Sequence, residues 1–405
     1  MGAIAQGKEK DGGWNLHKGR TGLEQLRAVE SLVWHMTKQR ANSANDHPRQ
    51  FFAKELSGET PPSFSTMEDL YGLAAELYAL RPWHVLEEGE LVLTRDSATG
   101  ETCYCSVIGA LGEVLAMHAY IGTESYRLFR KIASGEIASA GEFFETQHSV
   151  YVEFAPRADL EGQDRKLLTA LGHPLRAAKV SPMFRAVRPG FHPWFVTEEE
   201  GRLLAECMRA VILVCSEVST QGDLKYWNRA DTYPMVSRVD GEESEPRYHV
   251  ELVEATLPSE PPLPVARLGE EKLRQLRDRD HAVRGVMELD YFLSAAVIGK
   301  KNERKACVRV ALAVDADSGI VFPPELASPG ISAGDALAKA IMNAIEVTRA
   351  FPREVRVQSR RFKDCLNPIA EMFGLPIKIA RSLPALAEAR ASLLRMLGDP
   401  GLPES

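Results

Sequence analysis

Between Leu257 and Pro264 the chain reads LPSEPPLP. Proline has no backbone N–H and a fixed φ, so four of them in eight residues can neither extend a helix nor lie inside a sheet. The residues before this stretch and those after it must therefore each complete their own hydrogen bonding. At 405 residues the chain is also too long for one ordinary core and suits two or three. The division expected is 1–65 (a disordered start, a helix and a linker), 66–220 (an α+β domain), 221–270 (strands and the proline-rich linker) and 271–400 (a second α/β domain). The fold class expected is α/β in the α+β sense, with an antiparallel meander in the N-terminal domain.

Periodicity supplies the elements. Residues 1–20 are polar and rich in glycine and lysine; Leu26, Val29, Val33 and Met36 then share one face of a helix over 22–40. A second helix runs from Met67 to Leu80 and stops at Arg81-Pro82. LVLTRD, CYCSVIGA and VLAMHAYIG alternate as three half-buried strands, with turns at SATG and GALGE. A helix from Glu124 to Ser134, a strand over His148–Pro156 and a short helix at Arg165–Leu171 follow. Met183–Val196 is extended. Thr197 and Glu200 have the spacing of a capping box, opening a helix whose stripe is Leu204, Met208, Val211 and Cys215. Strands are expected at YPMVSRVD and RYHVELVEA, and an exposed helix over 269–281.

The last domain reads as strands Val286–Ile298, Ala306–Val314 and Ile320–Pro323, the last two joined by a DADSG turn. A helix capped by Ser332 with Asp335 follows, then a strand Glu354–Gln358. Next come helices over Arg361–Phe373 broken at Pro368 and capped afresh by Asn367. A strand Leu375–Ala380 and a helix Pro384–Leu397 capped by Ser382 complete it.

Several classes are excluded. A net charge of −7 argues against a polyanion binder acting through its whole surface. No apolar run reaches the roughly 18–20 residues of a membrane span, and the N-terminus lacks a signal-peptide core. Gln6 stands where a myristoylation signal needs serine or threonine. Six scattered cysteines without a CxxC pair fit a reducing compartment, so the expected location is cytoplasmic, with no membrane partner. Glycine-rich nucleotide loops, the G-x-S-x-G elbow and the H-E-x-x-H zinc helix are absent from the sequence.

The element order over 285–398, three strands and then alternating helices and strands, resembles the ribonuclease-H-like fold of nucleases, integrases and transposases, and PREVRVQSRRFKDCLNPIAEMFGLPIKIA looks like a transposase segment. That resemblance implies two Mg²⁺ ions held by carboxylates. Asp290 on the first strand, Glu346 on the first helix and Glu388 on the last helix are the candidates. The fourth strand ends in Val357-Gln358-Ser359, without the carboxylate the family needs, and Asp364 lies six residues further on. The strings PWHVLEEGELVLTRD, CYCSVIGALGEVLAMHAYIG, MFRAVRPGFHPWFVTEEE and VALAVDADSGIVFPP resemble an uncharacterised bacterial family that pairs two modules known only as domains of unknown function.

Outside that set, Arg185, Arg188, His192 and Trp194 form a cluster that could bind an anion or stack on a base, or be a rigid turn packing its aromatics. Arg356, Arg360, Arg361 and Lys363, beside Arg353, form a basic stretch that could meet phosphates or be a solvated face. Cys103 and Cys105, with His84 and His118, match no closed zinc spacing and read as packing residues. Asp315 and Asp317 read as turn residues. The chain is therefore expected to be a non-enzymatic binding or regulatory protein with no metal or other cofactor and with a protein or nucleic-acid partner. The alternatives are a Mg²⁺-dependent nuclease using Asp290, Glu346 and Glu388, and a protein-docking scaffold.

Overall fold

The computed structural model describes residues 59–112, 114–136, 140–171, 180–221, 226–227, 229–239, 247–267, 282–300, 303–328 and 330–396. The helices expected over 22–40 and 269–281, and the expected disordered start, lie outside these residues. The class is α+β, with mixed sheets.

The first sheet has eight strands among the described residues: β1 (Val92–Arg95), β2 (Thr102–Ile108), β3 (Ala116–Ile121), β4 (Ser149–Pro156), β5 (Val180–Val187), β6 (Trp194–Phe195), β7 (Thr232–Val239) and β8 (Arg247–Glu254). Their spatial order is β6-β5-β4-β3-β2-β1-β7-β8. The meander expected at β1–β3 continues antiparallel through β6, while β7 pairs parallel to β1 and antiparallel to β8. The sheet is thus built from residues on both sides of 220. At the SATG turn, Asp96 accepts hydrogen bonds from the Ala98 amide (3.0 Å) and the Thr99 hydroxyl (2.6 Å), and Gly100 takes a positive φ.

Helix α1 (Phe64–Leu80) buries Met67, Leu70, Tyr71, Ala74 and Leu77 on one face of this sheet. Helices α2 (Gly122–Ala133) and α3 (Ala140–Thr146) pack on the other, and α4 (Gly162–Ala170) precedes β5. Helix α5 (Glu198–Gln221) joins α1 and opens with the capping box the spacing predicts: the Glu200 amide donates to Thr197 Oγ1 (3.2 Å) and the Thr197 amide to Glu200 (2.8 Å). Its stripe of Leu204, Met208, Val211 and Cys215 is buried in the same core. Among the described residues, no helix is long and apolar enough to cross a membrane.

Past a two-residue strand β9 (Ala282–Val283), the second sheet comprises β10 (Val286–Ile298), β11 (Ala306–Asp315), β12 (Glu325–Ala327), β14 (Glu354–Val357) and β15 (Ile377–Ile379). Its order is β12-β11-β10-β14-β15. The first three strands are antiparallel; β14 and β15 run parallel to β10. The short β13 (Ala350–Phe351) pairs with β9.

Along β10 the side chains alternate. Met287, Leu289 and Tyr291 meet α6 (Ala333–Thr348), α7 (Arg360–Cys365) and α8 (Asn367–Phe373). Glu288, Asp290 and Phe292 face α9 (Pro384–Met396).

Three local expectations are corrected. The third strand is Glu325–Ala327, not Ile320–Pro323, which contributes only a bridge between Val314 and Val321. Asp315 closes the intervening turn by accepting from the Ser318 amide (2.7 Å), and the Pro323-Pro324 pair has no N–H for a ladder. Leu366 rather than Asn367 is the N-cap of α8, with Pro368 in its first turn. In the first turn of α9 the Leu386 amide is taken by Glu288 Oε2 (2.8 Å), not by Ser382.

The proline-rich stretch is strapped to both sheets' helices. Arg127 of α2 donates to the Pro258 carbonyl (2.5 Å) and Lys131 pairs with Glu260 (3.4 Å). From the other side Arg361 reaches Glu260 (3.4 Å) and the Pro261 carbonyl (2.9 Å). Leu263 and Ala266 pack into the second core. A Cβ on Gly334 would lie 2.6 Å from the Pro264 carbonyl, so only glycine admits this approach. Gly334→Ala is expected to lower stability by roughly 1–3 kcal/mol. Gly72→Ala, in α1 with nothing within 4 Å of the new methyl, is expected to raise it by roughly 0.5–1 kcal/mol. Urea denaturation of the two variants checks the opposite signs.

Candidate functional site

The Met183–Val196 segment, the densest unusual cluster in the sequence, is the joint between the two sheets. After β5 the chain turns at Pro189-Gly190 and lies along the start of β11. The Cys307 amide donates to the Gly190 carbonyl (2.9 Å), the His192 amide to the Lys305 carbonyl (2.9 Å), and Phe191 bridges Ala306. The Gly190 amide donates to the Phe144 carbonyl of α3 (2.6 Å). Gly190 has φ +80, and a Cβ there would stand 1.8 Å from Arg309 Nη2. Arg309 rises from the apolar run Cys307–Val314 of β11 and reaches Glu145 (3.5 Å) and the Pro189 carbonyl (3.4 Å). Burial pushes the Glu145 carboxyl above its ordinary range, with Arg309 working against the rise. Leu293 and Cys307 of the second sheet join the first sheet's aromatic cluster of Tyr104, Tyr120, Tyr126, Phe129, Phe143 and Phe144.

Two arginines and two glutamates close the joint. Arg188 donates to Glu200 (2.7 Å) and Glu59 (2.7 Å). Arg304, buried just before β11, pairs with the same two carboxylates, at 3.1 Å and 3.3 Å, and donates to the Ala186 carbonyl (3.2 Å). Two positive and two negative groups are thus mutually neutralised in a mostly buried network.

Arg185 is committed elsewhere. It grips Asp164 of α4 through two nitrogens (2.9 and 2.7 Å), reaches Glu161 (3.3 Å) and lies over the Phe195 ring at 4.2 Å. Burial opposes its charge, but Asp164 and Glu161 more than offset that and hold the guanidinium above its ordinary value. His192 is buried against Phe144 (5.0 Å), and Trp194 meets Phe195 (5.5 Å). The cluster therefore presents packed aromatics and acid-paired arginines.

The carboxylates expected to hold Mg²⁺ are not brought together. Asp290 is buried beneath α9 and paired with Arg390 (3.3 Å), whose guanidinium covers Phe292 at 4.4 Å. Burial raises the Asp290 carboxyl above its ordinary range, with Arg390 and the Tyr291 amide opposing. Glu346 is exposed on α6, which packs on the other face of the sheet. Glu388 is exposed on α9. No group of three or more His, Cys, Asp or Glu side chains placed to hold a metal ion occurs among the described residues.

In the basic stretch, Arg356 (2.8 Å) and Lys378 both pair with Glu354. Arg361 holds the proline strap, and Arg360, largely exposed, lies 3.7 Å from Asp364. Lys363 lies in the last turn of α7.

The zinc set is likewise dispersed. Cys103 and Cys105 face α5, where bonding to Cys207 and burial hold the Cys103 thiol above its ordinary value. His118 pairs in register with Ser106, so it lies on the other face of the sheet, and His84 is exposed in a short 3₁₀ turn. His118 stacks on Tyr151 at 4.4 Å, and burial drives its pKa down to about 3.

Arg304, Arg309, Glu59, Glu145 and Glu200 escaped sequence reasoning as members of this joint. Arg309 alone carried a signal, a charge inside the apolar run CVRVALAV. Arg304 lies among other charges, in KKNERKA.

The described residues thus form two mixed sheets with their own helices, meeting at the Pro189-Gly190 turn and at the contacts around it. Residues 68–235 match a domain of unknown function (DUF7309), and residues 272–394 match another domain of unknown function (DUF6930). No curated protein and no solved structure matches the chain.

Removing a partner from a buried ion pair costs about 3–5 kcal/mol. Arg304→Met is expected to destabilise by that amount, whereas exposed Arg360→Ala stays within about 0.5 kcal/mol, both read by denaturant midpoints. For His118, the unfolded imidazole takes a proton near 6.5 that the folded one refuses down to about 3. Stability present above 6.5 is therefore lost as pH falls through that window, by about 1.4 kcal/mol per unit from this one group. His118→Phe is expected to flatten that slope in denaturation at neutral and mildly acidic pH.

Proposed function

We propose that this chain is a non-catalytic binding or regulatory protein of the cytoplasm, with a degenerate ribonuclease-H-like unit following the proline strap and an α+β unit preceding it. The strand order β12-β11-β10-β14-β15, antiparallel then parallel, with helices on both faces, supports the fold reading. One observation carries the non-catalytic reading: the two buried carboxylates of β10 are used for packing. Glu288 caps the first turn of α9 and Asp290 is paired with Arg390 on the same helix. A two-metal site needs several free, converging carboxylate oxygens, since Mg²⁺ gives up its water reluctantly. Gln358 stands at the end of β14, where a further ligand would be required.

A protein partner is favoured over a nucleic acid. The basic residues Arg356, Arg361 and Lys378 are engaged by Glu354 and Glu260, and the net charge is −7. The cysteines among the described residues are buried and none is joined in a disulfide, as suits a reducing location.

Calorimetric titration with Mg²⁺ and Mn²⁺, alongside incubation with single- and double-stranded DNA and RNA, tests the reading. The expected result is no saturable metal uptake and no cleavage. Cleavage that disappears in Asp290→Ala would overturn it.

A further inference from the structure

Strand β8 forms one border of the eight-stranded sheet, with β7 on one side and no further strand among the described residues on the other. It runs for eight residues and contains no proline, so every residue keeps its backbone N–H. Long, regular edges of this kind are pairing templates unless a bulge, a proline or a cover blunts them. The pairing of β8 with β7 is unbroken from Thr232/Glu254 to Val239/Arg247.

The side chains of β8 say which partner fits. Tyr248, Val250 and Leu252 share one face; the first two pack partly on the first core, while Leu252 is 47% exposed. Arg247, His249 and Glu251 alternate on the other face, all exposed. We infer that β8 pairs antiparallel with β8 of a second copy of this chain, about a two-fold axis at Val250.

The register follows from geometry. Cross-strand partners share a sheet face, so a two-fold pair must be centred on a residue rather than between two. Centring on Val250 sets Val250 against itself, and Tyr248 against Leu252 of the second copy, twice. The apolar row then runs unbroken across the axis and covers Leu252. On the other face it sets His249 against Glu251 twice, with Arg247 diagonal to the same Glu251. Centring on Glu251 would oppose two like charges at the axis, and centring on His249 would carry Leu252 beyond Arg247. A parallel in-register pair would align Arg247 with Arg247 and Glu251 with Glu251. Only the Val250-centred register joins the apolar face and complements the charges together.

Sedimentation velocity of the full chain is expected to show a dimer. Leu252→Lys, at an exposed position, is expected to weaken it by about tenfold or more with an unchanged unfolding midpoint. Glu251→Lys is expected to weaken it too, and the exchanged pair His249→Glu/Glu251→His, which keeps both cross-strand pairs, is expected to be weaker than wild type only by loss of the Arg247–Glu251 diagonal. Val250→Cys is expected to form an intermolecular disulfide with copper phenanthroline as oxidant, which reads the register directly. A chain that is monomeric at every concentration overturns the inference, as does a dimer indifferent to Leu252→Lys and uncrosslinked through Val250→Cys.

Discussion

Everything in this molecule hangs on the turn at Pro189-Gly190. There the backbone of one unit hydrogen-bonds to the first residues of β11 in the other, and Arg309 occupies the volume a side chain at 190 would need. Glycine supplies both the positive φ and the missing Cβ. The turn also fixes α3 through the Gly190–Phe144 bond, which carries Phe143 and Phe144 into the aromatic cluster shared by both sheets. The Arg188–Arg304–Glu59–Glu200 network then neutralises the charge the joint encloses. Buried ion pairs of this kind add little net stability over apolar packing, but removing one member is costly. An arrangement of the two sheets that left any of the four without its partner would carry that cost.

The second sheet shows what becomes of acidic residues when a strand face is closed by a helix. Glu288 and Asp290 point at α9 and are met by its Leu386 amide and Arg390. A carboxylate that accepts from a helix's first turn complements the dipole and ties the helix to the sheet. Acids at these positions are therefore accounted for by docking α9, which is why the functional reading favours binding over catalysis.

Local signals were legible in the sequence and distant ones were not. The Thr197/Glu200 box and the Ser332 cap on Asp335 each span three residues, and both form. The stripe Leu204–Cys215 is likewise a property of one helix. The third strand of the second sheet was misplaced because two prolines and an aspartate turn delay pairing, which alternation alone does not register. Helix α3, of seven residues, is too short for a periodic signal. The attachment of β7 and β8 beside β1 joins residues some 140 positions apart, and no local pattern encodes it. Arg188 looked available for an anion because its neutralising acids are not its neighbours: Glu59 lies 129 residues away. A guanidinium's chemistry is read from its partners, and those are assigned only by the fold.

The joint also bears on how such a protein is passed on. Arg304 belongs to the second unit, but its acceptors, Glu59, Glu200 and the carbonyls of Ala186 and Phe195, belong to the first. Arg309 likewise finds Glu145 and Pro189 across the boundary. A gene rearrangement that moved either unit into another context would strand two interior cations or leave their acids unopposed. Neither half of the joint keeps its charge balance without the other.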